Sequence, residues 1–394
     1  MSGAPLMYLE GPGDLVAAHR SWRSGIDHPS ETSVTFSSQF FDACKRLERP
    51  FVAISHGGPP GADHSAGGTA MNRPRKMFRL RKVGYDLSLL VYTLRVAVWI
   101  LRYRPSHVLV ASGVVRWWAL DALRAMLGVE MIPVLHNTLW PPSREIPSRP
   151  VAEHAWWRGA DPPSTLVVSP AIRRQVSALG ALAAKRCYEF RPLFRQSAFP
   201  PSAERDLRER PVRLIFVGRL EPEKGAVDLI EIMRMLRDAL ADGVRLDVCG
   251  AGSASGDVSR RIHDLGLQRV VRLRGRLDRT ALVWAYSESH LCLVPTRSSF
   301  GEGYAQVVAE SVLLGRPVVA SRLVPATEVL PDAVVAVEPD VPSGYVEAVL
   351  RLIDDPDAYA ALCRACLRYR ERILQSDMSF GAVLGEVVRQ SKAG

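Results

Sequence analysis

Two glutamates separated by seven residues stand out in the segment 294–321, which reads VPTRSSFGEGYAQVVAESVLLGRPVVAS. Glu302 falls in a loop rich in Gly and Ser, and Glu310 falls in the run of helix-forming residues that follows. The helical rise predicts that Glu310 lies about two turns inside the helix, so the two carboxylates are expected roughly 10 Å apart. That separation suits the two ends of one extended ligand and is too large for a shared proton or metal ion.

The predicted helix between these glutamates begins near Gly303 and Tyr304. The first N–H groups of a helix have no partner within it, so they form a ready site for an anion. Carboxylate, anion cradle and carboxylate match the sugar hydroxyls, pyrophosphate and ribose hydroxyls of a nucleoside-diphosphate sugar. The simpler alternative is that Glu302 only complements the helix N-terminus and that Glu310 is a solvated surface residue.

A second group of residues follows a predicted buried strand in the segment 212–225, VRLIFVGRLEPEKG. Gly218 permits a tight turn at the strand end, and Arg219 and Lys224 are expected to bracket a helix N-terminus predicted at Gly225. Arg offers a planar fork for phosphate oxygens, and Lys adds a compact charge. Together they can neutralise a departing diphosphate without a metal ion.

The sequence contains no His/Asp cluster at metal-ligand spacing, so we expect neither a metal nor another cofactor. The alternative for the two cations is a pair of surface ion pairs, Arg219 and Lys224 with Glu221 and Glu223.

Three segments together resemble the retaining glycosyltransferases of family 4, which have the GT-B fold: VGRLEPEKG, DVCGAGSASG and EGYAQVVAESVLLGRPVVAS. They carry the pairs Arg219-x4-Lys224 and Glu302-x7-Glu310. The resemblance is strong over 211–340 and weaker in the first half. It implies an α/β protein with two Rossmann-like, doubly wound domains that face a cleft.

The resemblance also implies a role for each motif residue. Arg219 and Lys224 would bind the leaving diphosphate, and Glu302 would hold hydroxyls of the donor sugar. Glu310 would bind the ribose hydroxyls. The other donor-binding residues that it implies are Gly218, Gly303, Tyr304 and the base-binding loop Arg274, Gly275, Arg276 and Leu277.

Two features of the first half carry weaker expectations. His136 follows the predicted strand MIPVL and would face the donor sugar and the reaction centre; alternatively it only caps a turn before Asn137. Gly11 and Gly13 match the family's glycine-rich turn after the first strand only loosely, so they are a candidate phosphate loop.

Strands and helices alternate along both halves, which indicates parallel sheets. We predict an acceptor-side domain over 1–196, a Pro-rich charged linker over 197–210 and a nucleotide-sugar domain over 211–370. A final helical segment, 371–394, is predicted to pack back on the first domain. The Gly- and Pro-rich stretch 56–72 is predicted to be a long mobile loop.

The formal net charge is +10, and a basic helix predicted within 73–104 supplies much of the excess. Its apolar run LSLLVYTLRVAVWIL is too short to span a bilayer, so the helix is predicted to contact an anionic membrane or a phosphorylated acceptor, or else to be simply solvated. Six scattered cysteines and no recognisable signal peptide predict a reduced, cytoplasmic protein, with the inner face of the membrane as one location.

The sequence therefore predicts a retaining, metal-independent hexosyltransferase of glycan biosynthesis. Its partners would be a nucleotide-sugar donor and a polysaccharide, lipid-linked saccharide or small-molecule acceptor, and not nucleic acid. A nucleotide-sugar epimerase, a phosphorylase and a non-catalytic binder of anionic surfaces stay open. A nicotinamide dehydrogenase is disfavoured because Gly-x-Gly-x-x-Gly is missing after any strand.

Overall fold

The structure is a computed structural model that describes residues 3–27, 31–75, 81–141, 154–203 and 205–391, with the backbone alone for 81–85 and 242. Two sheets are present, one in each half of the chain. This confirms the predicted α/β class with two Rossmann-like, doubly wound domains.

The first sheet has eight strands in the order β3-β4-β2-β1-β5-β6-β7-β8, and only β3 runs antiparallel to its neighbour. Its central strands are apolar and buried on both faces, as parallel strands between two helix layers must be. The strands are β1 (Leu6–Glu10), β2 (Phe51–Ser55), β3 (Gly61–Ser65), β4 (Gly68–Asn72), β5 (His107–Ala111), β6 (Glu130–Leu135), β7 (Thr165–Val167) and β8 (Cys187–Glu189). The helices are α1 (Leu15–Arg23), α2 (Phe36–Arg46), α3 (Arg81–Tyr103), α4 (Trp117–Leu127), α5 (Ala155–Arg158), α6 (Pro170–Leu179) and α7 (Ala181–Lys185).

The predicted mobile loop at 56–72 is wrong, because most of it forms the hairpin of β3 and β4 at the sheet edge. A two-residue turn, Ala66 and Gly67, joins the strands. A Cβ added at Gly68 would lie 2.2 Å from the carbonyl oxygen of Phe51, so β4 can approach β2 only with glycine there. Asn72 is the last residue of β4, and its side-chain oxygen accepts a hydrogen bond from the Leu15 N–H at 3.0 Å. The glycines of this stretch serve close packing.

The second sheet has six parallel strands in the order β11-β10-β9-β12-β13-β14. Its strands are β9 (Val212–Val217), β10 (Val244–Cys249), β11 (Val271–Gly275), β12 (Leu291–Val294), β13 (Val318–Ser321) and β14 (Val334–Val337). The helices that follow are α8 (Asp228–Leu240), α9 (Ser255–Asp264), α10 (Arg279–Glu288), α11 (Gln306–Leu313), α12 (Ala326–Val329), α13 (Pro342–Asp354), α14 (Pro356–Leu374) and α15 (Phe380–Gln390).

The last helix, α15, lies on the first domain although it follows the second in sequence. The Phe380 ring packs 5.3 Å from that of Phe190 and 6.0 Å from that of Tyr8. A Cβ at Gly381 would lie 2.7 Å from the carbonyl oxygen of Gln39 in α2, so the two helices touch backbone to backbone. The chain therefore crosses between the domains twice. The predicted domain end at residue 370 falls inside α14.

Candidate functional site

The two groups of residues that the sequence singled out meet at the carboxyl ends of β9 and β12, which are neighbours in the second sheet. The ammonium group of Lys224 forms an ion pair with Glu302 and lies 4.4 Å over the ring of Phe300. Glu302 is only 8% exposed, and its carboxylate lies 3.5 Å from the hydroxyl of Thr296. The structure thus brings together two residues that are 78 positions apart.

The helix N-terminus predicted at Gly225 is wrong. Residues 222–224 form a single 3₁₀ turn that ends at Gly225, and α8 begins only at Asp228. Gly225 has a left-handed φ of +72°, which interrupts the helical path. A Cβ there would lie 2.1 Å from the carbonyl oxygen of Pro295, so this glycine lets the two loops that carry Lys224 and Glu302 pack against each other.

Arg219 and Gly218 lie at the end of β9. Arg219 is exposed, and it makes no ion pair within the described residues. The surface pairing with Glu221 predicted as an alternative is not formed, because Glu221 accepts hydrogen bonds from the Ser253 hydroxyl and N–H. The N–H of Gly218 donates to the carbonyl oxygen of Cys249 at 3.0 Å.

Glu310 is buried, so its interpretation as a solvated surface residue is wrong. It lies one turn inside α11 rather than two, because the helix begins at Gln306. The Tyr286 hydroxyl donates to one carboxylate oxygen at 2.9 Å, and the Thr32 hydroxyl donates to the other. Burial raises the pKa of Glu310, while these hydrogen bonds act to lower it and the charge of Glu31 raises it further.

The segment 31–33 of the first domain joins this site, and the sequence analysis missed it. Besides the Thr32 contact, the Ser33 hydroxyl donates to the side-chain oxygen of Gln306 at 3.0 Å. Arg279 donates to the carbonyl oxygen of Glu31 at 2.7 Å. These contacts link residues more than 240 positions apart. The only signal in the sequence for a contact here was the run of Ser and Thr residues around Thr32.

The anion cradle predicted at Gly303 and Tyr304 is also displaced, because the N–H groups at the start of α11 belong to Gln306 and the residues after it. Ala305, which precedes the helix, has a left-handed φ of +65°. A Cβ at Gly303 would lie 1.7 Å from the carbonyl oxygen of His136, so this loop touches the first domain. The Tyr304 side chain is buried, with the Arg191 guanidinium 5.7 Å from its ring.

His136 directly follows β6 in the first domain. Its ring packs in a cluster with those of Phe36 and Phe190, with centroids 4.6 and 5.8 Å away. Burial lowers the pKa of His136 to about 4, so the imidazole is neutral at pH 7. Its Nδ1 has no hydrogen-bond partner within the described residues, whereas its backbone N–H donates to the Ser112 hydroxyl at 3.1 Å. A neutral imidazole with a free nitrogen can bind a hydroxyl group.

The candidate phosphate loop follows β1. The Ser55 hydroxyl lies within hydrogen-bond distance of the carbonyl oxygens of Gly11, at 3.1 Å, and Gly13, which keeps the loop compact. Glu10, missed by the sequence analysis, has a buried carboxylate oxygen with no partner among the described residues. Burial, and next the charge of Glu31, raises the pKa of Glu10 to about 7.

The four residues of the predicted base-binding loop lie at the end of β11 and directly after it. The Arg274 guanidinium forms an ion pair with Asp247 at 2.8 Å and lies 5.5 Å from the Trp284 ring, so it is directed along the sheet face. The backbone of Gly275 accepts from the Gly250 N–H at 2.8 Å at the strand ends. Arg276 is exposed, and Leu277 packs against the core.

No group of three or more His, Cys, Asp or Glu side chains positioned to bind a metal ion occurs in the part of the chain that the structure describes. All six cysteines are buried and none forms a disulfide, so Cys363 and Cys366 of α14 contribute to packing.

Comparison with known proteins places these loops in a family context. Residues 202–367 match the family model described as glycosyl transferases group 1. The glycogen synthase of Mycobacterium tuberculosis (strain CDC 1551 / Oshkosh) is 30% identical over 185 residues, which are 46% of this chain and 43% of that protein. The chain spans less than half the length of the curated relatives it matches.

Among solved structures, the sucrose-phosphate synthase of Thermosynechococcus elongatus superposes with a TM-score of 0.72 at 17% identity, covering 99% of this chain and all of that one. The Anabaena protein HepE, solved with UDP-glucose, has a TM-score of 0.66 at 14% identity over the full length of both chains. The whole chain therefore has the GT-B fold, and residues 202–367, which carry Lys224, Glu302 and Glu310, match the glycosyl transferases group 1 family.

Proposed function

We propose that the protein is a retaining, metal-independent glycosyltransferase that moves a sugar from a nucleoside-diphosphate sugar to a hydroxyl acceptor. The observation that carries this proposal is the Lys224–Glu302 ion pair at adjacent strand ends, with the buried carboxylate of Glu310 one helical turn into α11. A cation and two carboxylates in this order match the charge and hydroxyl pattern of such a donor.

In this proposal each carboxylate accepts hydrogen bonds from hydroxyl groups. Thr32 and Tyr286 already donate hydroxyl hydrogen bonds to Glu310, so this carboxylate sits in an environment suited to ribose hydroxyls. Glu302 would exchange the ammonium of Lys224 for hydroxyls of the donor sugar. In this exchange Glu302 would accept hydrogen bonds from neutral hydroxyls, and the Lys224 ammonium would gain a phosphate oxygen as its new charged partner.

Lys224 and Arg219 would then stabilise the negative charge that develops on the leaving diphosphate. Lys224, once separated from Glu302, would be free to contact a phosphate oxygen, and the exposed Arg219 lies at the end of β9, the strand that also leads to Lys224. The leaving phosphate would take the proton of the acceptor hydroxyl on the same face of the sugar. This route needs no protein nucleophile, and we assign none.

The first domain would contribute the neutral ring of His136 and the loop of Gly11 and Gly13. The backbone of Gly303 touches the backbone of His136, which places His136 beside the loop of Glu302. A neutral imidazole suits a hydrogen bond to a sugar hydroxyl without placing a positive charge beside the reacting carbon. UDP-sugars are the first donors to test, because HepE was solved with UDP-glucose.

The test is incubation of the purified protein with UDP-, GDP- and ADP-linked sugars and a mixture of glycan acceptors, with diphosphate release as the readout. We expect release with one nucleotide, an unchanged rate in EDTA, and a product whose anomeric proton shows the donor's configuration. Loss of activity in EDTA would overturn metal independence, and an inverted product would overturn retention. Epimerised donor or released sugar phosphate would identify an epimerase or a phosphorylase.

A second proposal concerns α3, whose outer face is apolar. Leu90, Leu94, Val98 and Leu101 are between 45% and 61% exposed and recur at helical spacing, and Arg102 and Arg104 follow them. The Trp118 ring of α4 lines a groove with Leu90. Lys76 and Arg79 of the predicted basic stretch lie outside the described residues. Among those described, no helix is both long and apolar enough to cross a bilayer.

We propose that this face rests on an anionic membrane at the cytoplasmic side, with the apolar residues in the interface and the arginines near lipid phosphates. The test is flotation with vesicles of phosphatidylcholine alone or mixed with phosphatidylglycerol. The double variant Leu94→Glu/Val98→Glu should lose binding to the anionic vesicles. Leu367→Glu, at a position of α14 that is 50% exposed, should retain it, and equal binding by both variants would contradict the proposal.

A further inference from the structure

One face of the second sheet is covered only in part. At the carboxyl half of β9 and β10, Ile215 and Cys249 are buried in the cluster that includes Ala285 and Tyr286 of α10. At the amino half of the same face the outward residues are exposed, and they are arginines: Arg213 of β9, Arg245 of β10 and Arg272 of β11. A doubly wound sheet normally has apolar residues and a helix at such positions.

The arginines lie close together. Arg213 and Arg245 are direct neighbours in the register of β9 and β10. Like charges opposite each other destabilise a sheet unless a counter-charge is present. Glu288 supplies one for Arg213, with an ion pair of 2.6 Å. Within the described residues, none is formed by Arg245, Arg272 or the adjacent Arg269.

A cavity of about 320 Å³ lies over this surface. The three arginines without ion pairs line it, and the Trp284 ring, 54% exposed, forms part of its wall. The carboxylate of Asp247 also faces it but is engaged by Arg274 at 2.8 Å. The cavity thus combines an excess of guanidinium groups with an aromatic surface, and its volume suits a small molecule.

Protection of an edge strand does not explain this cluster. Charged residues on an edge discourage pairing with other chains, and that accounts for Arg272, because β11 is the sheet edge. It does not account for Arg245, because β10 is paired on both sides. Glu288 neutralises Arg213 and Asp247 is engaged by Arg274, so Arg245 stands beside Arg213 on an interior strand without a counter-charge of its own among the described residues.

We propose that this cavity binds a small phosphorylated molecule, with its phosphoryl oxygens on Arg245, Arg269 and Arg272 and its ring against Trp284. Guanidinium groups bind phosphate oxygens in pairs through a planar fork, and sugar or base rings pack on exposed indole. The cavity is at the amino half of the strands, whereas Lys224 and Glu302 lie at the carboxyl ends. Arg274 of the predicted base-binding loop also lines the cavity, but the proposed phosphoryl contacts at Arg245, Arg269 and Arg272 involve none of the residues assigned to the transfer reaction.

Calorimetric titration tests the proposal, with inorganic phosphate, pyrophosphate and glucose 6-phosphate as probes and glucose as the uncharged control. A Lys224→Ala background removes the diphosphate contact of the other site. We expect the phosphorylated probes to bind and glucose not to. Arg245→Gln/Arg269→Gln/Arg272→Gln should weaken binding by about tenfold or more. The matched triple Arg351→Gln/Arg364→Gln/Arg368→Gln, exposed arginines on α13 and α14, should leave it unchanged.

A single substitution distinguishes loss of binding from a folding defect. Arg245→Gln removes a like-charge neighbour, so its melting temperature without phosphate should equal or exceed that of the parent protein, whereas added phosphate should stabilise the parent more. Trp284→Ala should weaken glucose 6-phosphate and leave inorganic phosphate unaffected. Tighter binding of a phosphorylated oligosaccharide than of glucose 6-phosphate identifies a glycan as the ligand's source, and the reverse order identifies a free metabolite. Equal weakening in both triple variants, or no binding of any phosphorylated probe, overturns the proposal.

Discussion

The carboxylates of Glu302 and Glu310 are equivalent in the sequence pattern, yet the structure holds them differently. Glu302 is neutralised within its own domain by Lys224, through two loops that pack together at Gly225. Glu310 has no cationic partner among the described residues and is held by two hydroxyls, one of which, from Thr32, belongs to the other domain. One end of the site is thus complete within a domain, and the other depends on how the domains meet.

The largest effect is expected at Lys224, whose charge is paired with Glu302 of the same domain. Lys224→Ala should lower turnover by about 100- to 1000-fold with little change in donor KM, because in the proposed reaction the ammonium would stabilise charge that appears in the transition state. Rates of diphosphate release measure this. Lys45→Ala, an exposed lysine on α2, is the control. An effect confined to KM would show that Lys224 only binds the ground state.

Glu310→Gln should instead raise donor KM, by about tenfold, with a smaller change in turnover. The same variant should be more stable than the parent at pH 8. Burial raises the pKa of Glu310, so the stability that this group contributes is complete at acid pH and is lost as the pH rises through the raised value. Melting curves at pH 5 and 8 test the sign, with Glu347→Gln, exposed on α13, as control. Equal melting temperatures of Glu310→Gln and the parent at both pH values would refute the expected gain in stability at pH 8.

Glu10 extends the comparison to a carboxylate with a buried oxygen that lacks any partner within the described residues. Its pKa is raised from 4.5 to about 7, so the parent protein should lose stability relative to Glu10→Gln between these pH values and no further above them. The difference should approach about 3 kcal/mol in urea unfolding at pH 8 and vanish near pH 4. Glu48→Gln, at an exposed position, should show no such dependence.

The smallest effect concerns the contact between the domains. Thr32→Val removes the hydroxyl that donates to Glu310. Donor KM should then fall by about threefold, because this hydrogen bond no longer competes with the ribose hydroxyls for the carboxylate. Ser33→Ala, which removes the neighbouring contact to Gln306, should change KM less. A rise in KM for Thr32→Val would mean that this hydroxyl helps to hold the donor.

The sequence was most informative in the second domain. The buried strand predicted within 212–225 is β9 (Val212–Val217), because an apolar run with Val and Ile that ends in glycine has few other conformations. Two errors came from backbone turns that tertiary contacts impose: the 3₁₀ turn at 222–224 and the left-handed Ala305, which moved both helix starts. The contact of Thr32 with Glu310 spans 278 positions, and no local pattern could reveal it.

The position of α15 has a consequence for how the protein is made. Its Phe380 ring contacts Phe36 at 5.7 Å, and Phe36 in turn packs on His136. A ribosome that has released residues 1–196 has therefore not yet supplied the last wall of the first domain. This domain can complete its packing only after residue 390 has left the exit tunnel, so a fragment that stops before residue 380 should expose apolar surface around Phe190 and attract chaperones during synthesis.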